Sequence, residues 1–177
     1  MNPLSTMASK VDIESLKMTA IINGMSLAKL PLLAFISPKV VKASGPQSIV
    51  RVKLGFRTRN HLGVMYFGAL AMGAELSIAM KAVQEIQRSG QRIDFLFKNF
   101  KCEFHKRADG DVHFICDEAE DVAALIHESS TSAERMERTF KGYAIVPSKS
   151  QEPIMNYELT LTVKNRSLSS KAKADQK

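Results

Sequence analysis

The chain has 177 residues, of which 45% are hydrophobic and 24% charged. That length suits one domain, with or without a tail, and the composition is globular, which excludes a fibrous or disordered chain. Twenty-five Lys and Arg against eighteen Asp and Glu leave +7. Residues 166–177 hold Arg166, Lys171, Lys173 and Lys177 against Asp175 alone, so the remainder keeps only +4 of it. The charge suits an anionic partner without identifying one, and nucleic-acid binding has no support beyond it. Two cysteines, Cys102 and Cys116, exclude a multi-disulfide scaffold. Asp12 and Glu14 stand where a signal peptide needs cations. The most apolar stretch, Met18 to Ile36, carries Asn23, Lys29 and Pro31, which a spanning helix of ~20 residues seldom tolerates together. The expectation is a soluble, cytoplasmic protein without a membrane span.

In chain order, residues 11–30 read as a largely apolar helix limited or kinked by Pro31 and Pro38. Such a helix packs on its domain or on a subunit neighbour; as a membrane-surface helix it offers few cations, Lys17 and Lys29. Val50, Val52, Leu54 and Phe56 alternate with Arg51, Lys53, Gly55 and Arg57, the period of a half-buried strand. From Tyr66 to Gln87 the period becomes helical, without proline and with Gly90 beyond the end. The first half of that helix is built from Gly68, Ala69, Ala71, Gly73 and Ala74. Glycines cost about 1 kcal/mol each there against alanine, so the pattern predicts a central helix with something packed close to its backbone.

The remainder is mostly strand. Ile93, Phe95 and Phe97 hold one phase, Phe100, Cys102 and Phe104 the other, which predicts a β-bulge at Lys98–Asn99. After Ala108-Asp109-Gly110 the alternation resumes at Val112, Phe114 and Cys116. A three-residue hairpin loop there keeps one face apolar, pairing Phe104 with Phe114 and Cys102 with Cys116. Residues 118–129 read as an acidic-capped helix, and residues 136–146 and 157–163 as two more strands. Residues 1–36 are therefore expected to be a helical segment on the domain, 37–165 the domain, and 166–177 a disordered basic tail.

Cys102-x-x-His105 and His113-x-x-Cys116 have a spacing that suggests a metal, but residues three apart in a strand point to opposite faces. The cysteines then face inward and the histidines outward, and no metal is predicted. Directly opposed Cβ atoms ~4.5–5.5 Å apart are also wider than a disulfide prefers. Phosphate-binding loops, nucleophile elbows and CxxC pairs are missing from the sequence.

The chemistry-bearing stretch is the entry to the central helix, from Arg57 through Asn60, His61, Gly63, Tyr66, Phe67 and Gly68 to Glu75. Polar residues gather before a helix N-terminus, whose free N–H groups favour an oxygen becoming negative. Glu75 stands alone among small and apolar residues. It either emerges at the helix surface, pairs with an arginine, or does chemical work. It lies nine residues past Tyr66, ~13.5 Å along the axis and ~180° around it, so a site containing both must be completed by a second subunit.

This stretch resembles the hot-dog fold, in the branch of phenylacetate-type acyl-CoA thioesterases and their uncharacterised thioesterase-like relatives. That branch has an Asn, a His-Gly-Gly six positions later, and an acidic residue nine positions after the His. Asn60, Tyr66-Phe67-Gly68 and Glu75 occupy those positions, with Tyr66 in place of the histidine and Phe67 in place of the first glycine. The resemblance implies an α+β fold, a long helix wrapped by an antiparallel sheet of five to six strands, with an N-terminal helix added. It implies Glu75 as base or nucleophile, Asn60 as the group orienting water or substrate, and the Phe67 N–H as the donor to the thioester oxygen. His61, Gly63, Tyr66 and Gly68 would line the substrate. The implied protein is a homodimer or homotetramer acting on acyl-CoA, with coenzyme A as part of the substrate and no other cofactor. The other reading is a non-catalytic acyl-CoA-binding or scaffolding protein, which Tyr66 and Phe67 favour.

Overall fold

Pro31 decides the first boundary. In the computed structural model, which describes residues 13–168, helix α1 (Ile13–Lys29) stops before it and α2 (Pro31–Ile36) begins on it. A proline cannot donate to the helix behind it, but at the first position of a new helix that donor has no partner to lose. Ser37 ends α2 with φ 47°. A short strand follows, β1 (Lys39–Lys42), which is too brief to carry a readable alternation. It pairs antiparallel with β2 (Ser48–Val52).

The strand expected through Phe56 stops at Val52. The Asp111 carboxylate accepts the Leu54 N–H at 2.9 Å, and the Thr58 hydroxyl donates to the Lys53 carbonyl at 2.7 Å while accepting the Gly55 N–H at 2.9 Å. Those side chains satisfy the backbone groups that a sheet neighbour would otherwise take, and the chain turns. Arg51 completes the arrangement, with its guanidinium 2.5 Å from Asp111. Burial raises the Asp111 pKa, but Arg51 and the Leu54 N–H outweigh it and hold the carboxyl below its ordinary value. A depressed folded-state pKa contributes stability above the unfolded pKa, and this is lost as pH falls through the folded value. Urea midpoints measured across the acid range should therefore fall less steeply for Asp111→Asn than for wild type.

Helix α3 (Phe67–Ser89) is capped by Gly90 in the left-handed region, φ 63°. After it come β3 (Ile93–Phe104), β4 (Val112–Cys116), α4 (Ala119–Ser130), β5 (Arg135–Ile145) and β6 (Met155–Asn165). The six strands form one antiparallel sheet in the order β1-β2-β4-β5-β6-β3. The register shifts between Phe97 and Asn99, where the change of phase placed a bulge.

The β3–β4 hairpin is not formed. β3 pairs along its whole length with β6, Cys102 opposite Tyr157 and Phe104 opposite Met155, while β4 lies between β2 and β5 with Cys116 opposite Ser48. Apolar alternation selects a face but not a neighbour, and a 12-residue strand finds more partners on 11-residue β6 than on 5-residue β4. The connection is drawn away from a tight turn. Ala108 O accepts the Met65 N–H at 2.8 Å, and Ile154 O accepts the His105 N–H at 2.8 Å. The two cysteines consequently sit on different strand pairs, and among the described residues no three His, Cys, Asp or Glu side chains converge on a point.

Helix α3 lies on the inner face of the sheet, with Ala74, Ile78, Met80 and Ala82 buried among Val50, Val112, Phe114, Phe140, Leu161 and Val163. A Cβ on Gly73 would overlap the fully buried Phe114 ring, which explains a glycine in mid-helix. Deeper in, the Tyr157 hydroxyl is 2.7 Å from Ser77 Oγ and donates to the Ile115 carbonyl at 3.2 Å. Burial holds its pKa far above the ordinary phenol value. Tyr157→Phe leaves both partners short of a hydrogen bond and should cost about 1–3 kcal/mol in urea denaturation. Helix α1 is fastened to α3 by Glu14, which accepts from Gln84 and from Arg88 at 2.6 Å.

Residues 166–168 make a helical turn, with Arg166 Nε 2.7 Å from Asp94 and the Ser167 hydroxyl accepting the Arg92 N–H. Residues 1–12 of the N-terminal segment and 169–177 of the basic tail lie outside the described residues. No described helix is long and apolar enough to cross a membrane.

Candidate active site

The entry to α3 is held by backbone rather than by a side-chain cap. Arg59 and Met65 form an isolated antiparallel bridge, and the Asn60 N–H donates to Val64 O at 2.8 Å. Inside that loop the Gly63 N–H donates to Asn60 O at 3.1 Å, and Gly63 takes φ 76°, which L side chains rarely adopt. The loop is fixed to the domain at its far end, where the Tyr66 N–H donates to Thr58 O at 2.7 Å. Tyr66 is the N-cap residue and uses no side-chain oxygen for the purpose. The first N–H groups of α3, from Phe67 onward, therefore have no partner within the helix.

Asn60, His61, Gly63, Tyr66, Phe67 and Gly68 are thus brought together around one helix start. Asn60 spends its Oδ1 on the Leu62 N–H at 2.9 Å, an Asx turn, and its amide NH2 has no acceptor among the described residues. His61 is exposed in the turn. The Tyr66 ring folds over Gly68, since a Cβ there would lie 2.7 Å from Tyr66 Cε1. Phe67 is exposed and meets Phe104 of β3 edge to face, with ring centroids 5.8 Å apart. Phe104, Thr58 and the Ala108 carbonyl belong to this region too. Only Phe104 left a trace in the sequence, as the last apolar residue in the alternation of its strand.

Glu75 is placed elsewhere on α3. It is half-buried between buried Ala74 and Leu76, and it makes no hydrogen bond or ion pair among the described residues. The arginine partner that the sequence left open is not there. Burial raises its pKa above the ordinary carboxylate value. From helix geometry, its side chain leaves the axis ~13.5 Å from Tyr66 and on the other side. The helix start and the carboxylate are therefore two separate surfaces of one protomer.

The sequence matches the family described as domain of unknown function DUF4442 over residues 19–163. The chain belongs to this family. No curated protein matches the chain. Among solved structures, the DUF4442 chain is similar to a protein of unknown function from Chlorobaculum tepidum, at 11% identity and a TM-score of 0.71, covering 85% of this chain and 96% of that one. It is similar to a Pseudomonas aeruginosa protein described as a probable thioesterase, at 16% identity and 0.66, covering 85% and 96%. A thioesterase family protein from Silicibacter pomeroyi aligns at 13% identity and 0.60, covering 83% and 98%. At these identities the likeness shows the fold alone, and that fold is the hot-dog arrangement, long α3 laid on a six-stranded antiparallel sheet.

Proposed function

We propose that the protein hydrolyses thioesters, with acyl-CoAs as substrate class, at a site completed by two copies of the chain. The observation that carries this reading is Glu75, a half-buried carboxylate with no partner among the described residues and a raised pKa. A group in that state is costly to keep in a helix unless it is used. Opposite it, in the partner copy, the free N–H of Phe67 at the start of α3 would receive the thioester oxygen as it becomes negative. Glu75 takes a proton from water as the water oxygen attacks the thioester carbon. The tetrahedral intermediate expels the thiolate, which recovers the proton, giving a carboxylic acid and a free thiol. The Asn60 amide NH2 orients the water, and Tyr66, Gly68, His61 and Gly63 line the substrate.

A dimer is supported by exposed Leu62, Tyr66, Phe67 and Phe104 around the helix start, and by β3, a long strand at the sheet edge. A tetramer would be two such dimers. Coenzyme A enters as part of the substrate, its phosphates suit the positive net charge, and the cytoplasm is where such a substrate is met.

The test is thiol release from short, long and aromatic acyl-CoAs. Wild type should turn over at least one class, and Glu75→Gln should lose that turnover while keeping its unfolding transition. Because the Glu75 pKa is raised, the acid limb of the pH–rate profile should lie above the ordinary carboxylate range. A second reading rests on the Tyr66 ring covering Gly68 at the helix start. A protein closed there binds acyl-CoA saturably and releases no thiol, and that result would replace hydrolysis with binding or scaffolding.

A further inference from the structure

Segments distant in sequence put large apolar side chains into solvent beside one another. Helix α2 contributes Leu32 (75% exposed) and Phe35 (52%), and the turn after β2 contributes Phe56 (85%). Leu32 and Phe35, three apart, share one side of α2 while Leu33 and Ile36 are buried on the other. Arg57 ties the two segments together. Its guanidinium lies over the Phe35 ring, 5.7 Å from the centroid, and donates to Ser37 Oγ at 3.0 Å. Arg59 sits in the same way over Phe56, at 5.7 Å.

The surroundings are cationic. A cleft of about 400 Å³ beside these rings is walled by Lys39, Arg51, Lys53 and Arg57, with Ile36 and Phe56. Arg51 is ion-paired with Asp111, whose carboxyl also feels the Lys53 charge, while Lys39 and Arg57 form no ion pair among the described residues. Lys29, at the end of α1, adds another charge. Helix α1 by itself offers few cations for binding a charged interface; the sheet and its loop supply the others. Apolar tips beside a cluster of cations are disfavoured in water and favoured where acyl chains lie under anionic headgroups. A second copy seated on the same patch would set one cationic rim against another, which charge complementarity disfavours.

We infer that this patch docks the protein peripherally on an anionic lipid surface. Leu32, Phe35 and Phe56 enter the boundary between headgroups and acyl chains, and Lys39, Lys53 and Arg57 face the lipid phosphates. The inference uses none of the residues assigned to thioester hydrolysis and stands or falls separately from it.

Flotation of the full chain with vesicles tests it. Retention on phosphatidylcholine vesicles containing phosphatidylglycerol should exceed retention on phosphatidylcholine alone by about tenfold or more, and should fall as salt is raised. Leu32→Asp with Phe56→Asp should abolish retention, and Lys53→Glu with Arg57→Glu should weaken it by about tenfold or more. Both pairs lie on the surface, and unchanged unfolding transitions would show that the fold is kept. No retention on either vesicle, equal retention on both, or full retention by both variant pairs overturns the inference. So does light scattering in which Leu32→Asp with Phe56→Asp halves the mass, since the patch then seats a second copy.

Discussion

Glu75→Gln subunits and Asn60→Ala subunits, each inactive alone, should recover thiol release when unfolded and refolded together. The expectation follows from α3 geometry, which turns Glu75 away from its own helix start by ~180° and separates them by ~13.5 Å. If each site takes Glu75 from one chain and the helix start from the other, a mixed dimer has one site with both defects and one with neither. Random association makes half the dimers mixed, so about a quarter of wild-type activity returns. Loss of the base alone should cost roughly 10²–10⁴-fold in turnover. Refolding either variant by itself gives the baseline. Failure of the mixture to rise above it would show that Glu75 and Asn60 do not act across an interface, and full activity in Glu75→Gln alone would remove its catalytic role.

Gly73→Ala should destabilise the protein even though alanine is the better helix former. The intrinsic gain is about 1 kcal/mol. Against it, the new methyl would overlap the ring of Phe114, which is fully buried between α3 and the sheet and has nowhere to move. Overpacking of this kind costs about 1–3 kcal/mol, and Phe114→Ala, which empties the same space, about 3–5 kcal/mol. The two changes share one volume, so Gly73→Ala with Phe114→Leu should be less destabilised than the sum of the single variants. Urea denaturation of wild type, Gly73→Ala, Phe114→Leu and their double variant decides it. Gly73→Ala more stable than wild type would mean that the ring yields, and that helix propensity, rather than contact, governs the position.

The same glycine shows what could be read before the fold was in hand. Gly73 in mid-helix announced a close neighbour, but nothing in the sequence identified Phe114, forty-one residues away. The bulge at Lys98 was readable because one inserted residue reverses the alternation of everything after it. The inward set of β6, Tyr157, Leu159, Leu161 and Val163, was readable for the same reason. The turn after Val52 was not, since Leu54 and Phe56 continue the apolar period that Asp111 and Thr58 interrupt through hydrogen bonds. At the candidate site, the cluster from Asn60 to Gly68 and the isolation of Glu75 were legible as a run of residue types. The Phe67–Phe104 pair and the anchoring of the loop by Thr58 and Ala108 were not, because they join segments that no local pattern connects.

Local patterning was sufficient for the elements that depend on a residue's own backbone: helix α3 and its glycine cap, helix α4, the inward faces of β3 and β6, and the break at Pro31. Periodicity is enough there, because a side chain's direction follows from its position along its own helix or strand. The tertiary structure alone decided which strands are neighbours. Cys102 and Cys116 share the inner face, as their alternation requires, yet lie on different strand pairs because β3 and β6 match in length and the Met65–Ala108 and His105–Ile154 hydrogen bonds carry the connection away from a hairpin. Partner choice is a competition among distant segments for the same hydrogen-bonding edge, and its outcome is set by strand length and loop anchoring, which no single stretch of sequence contains.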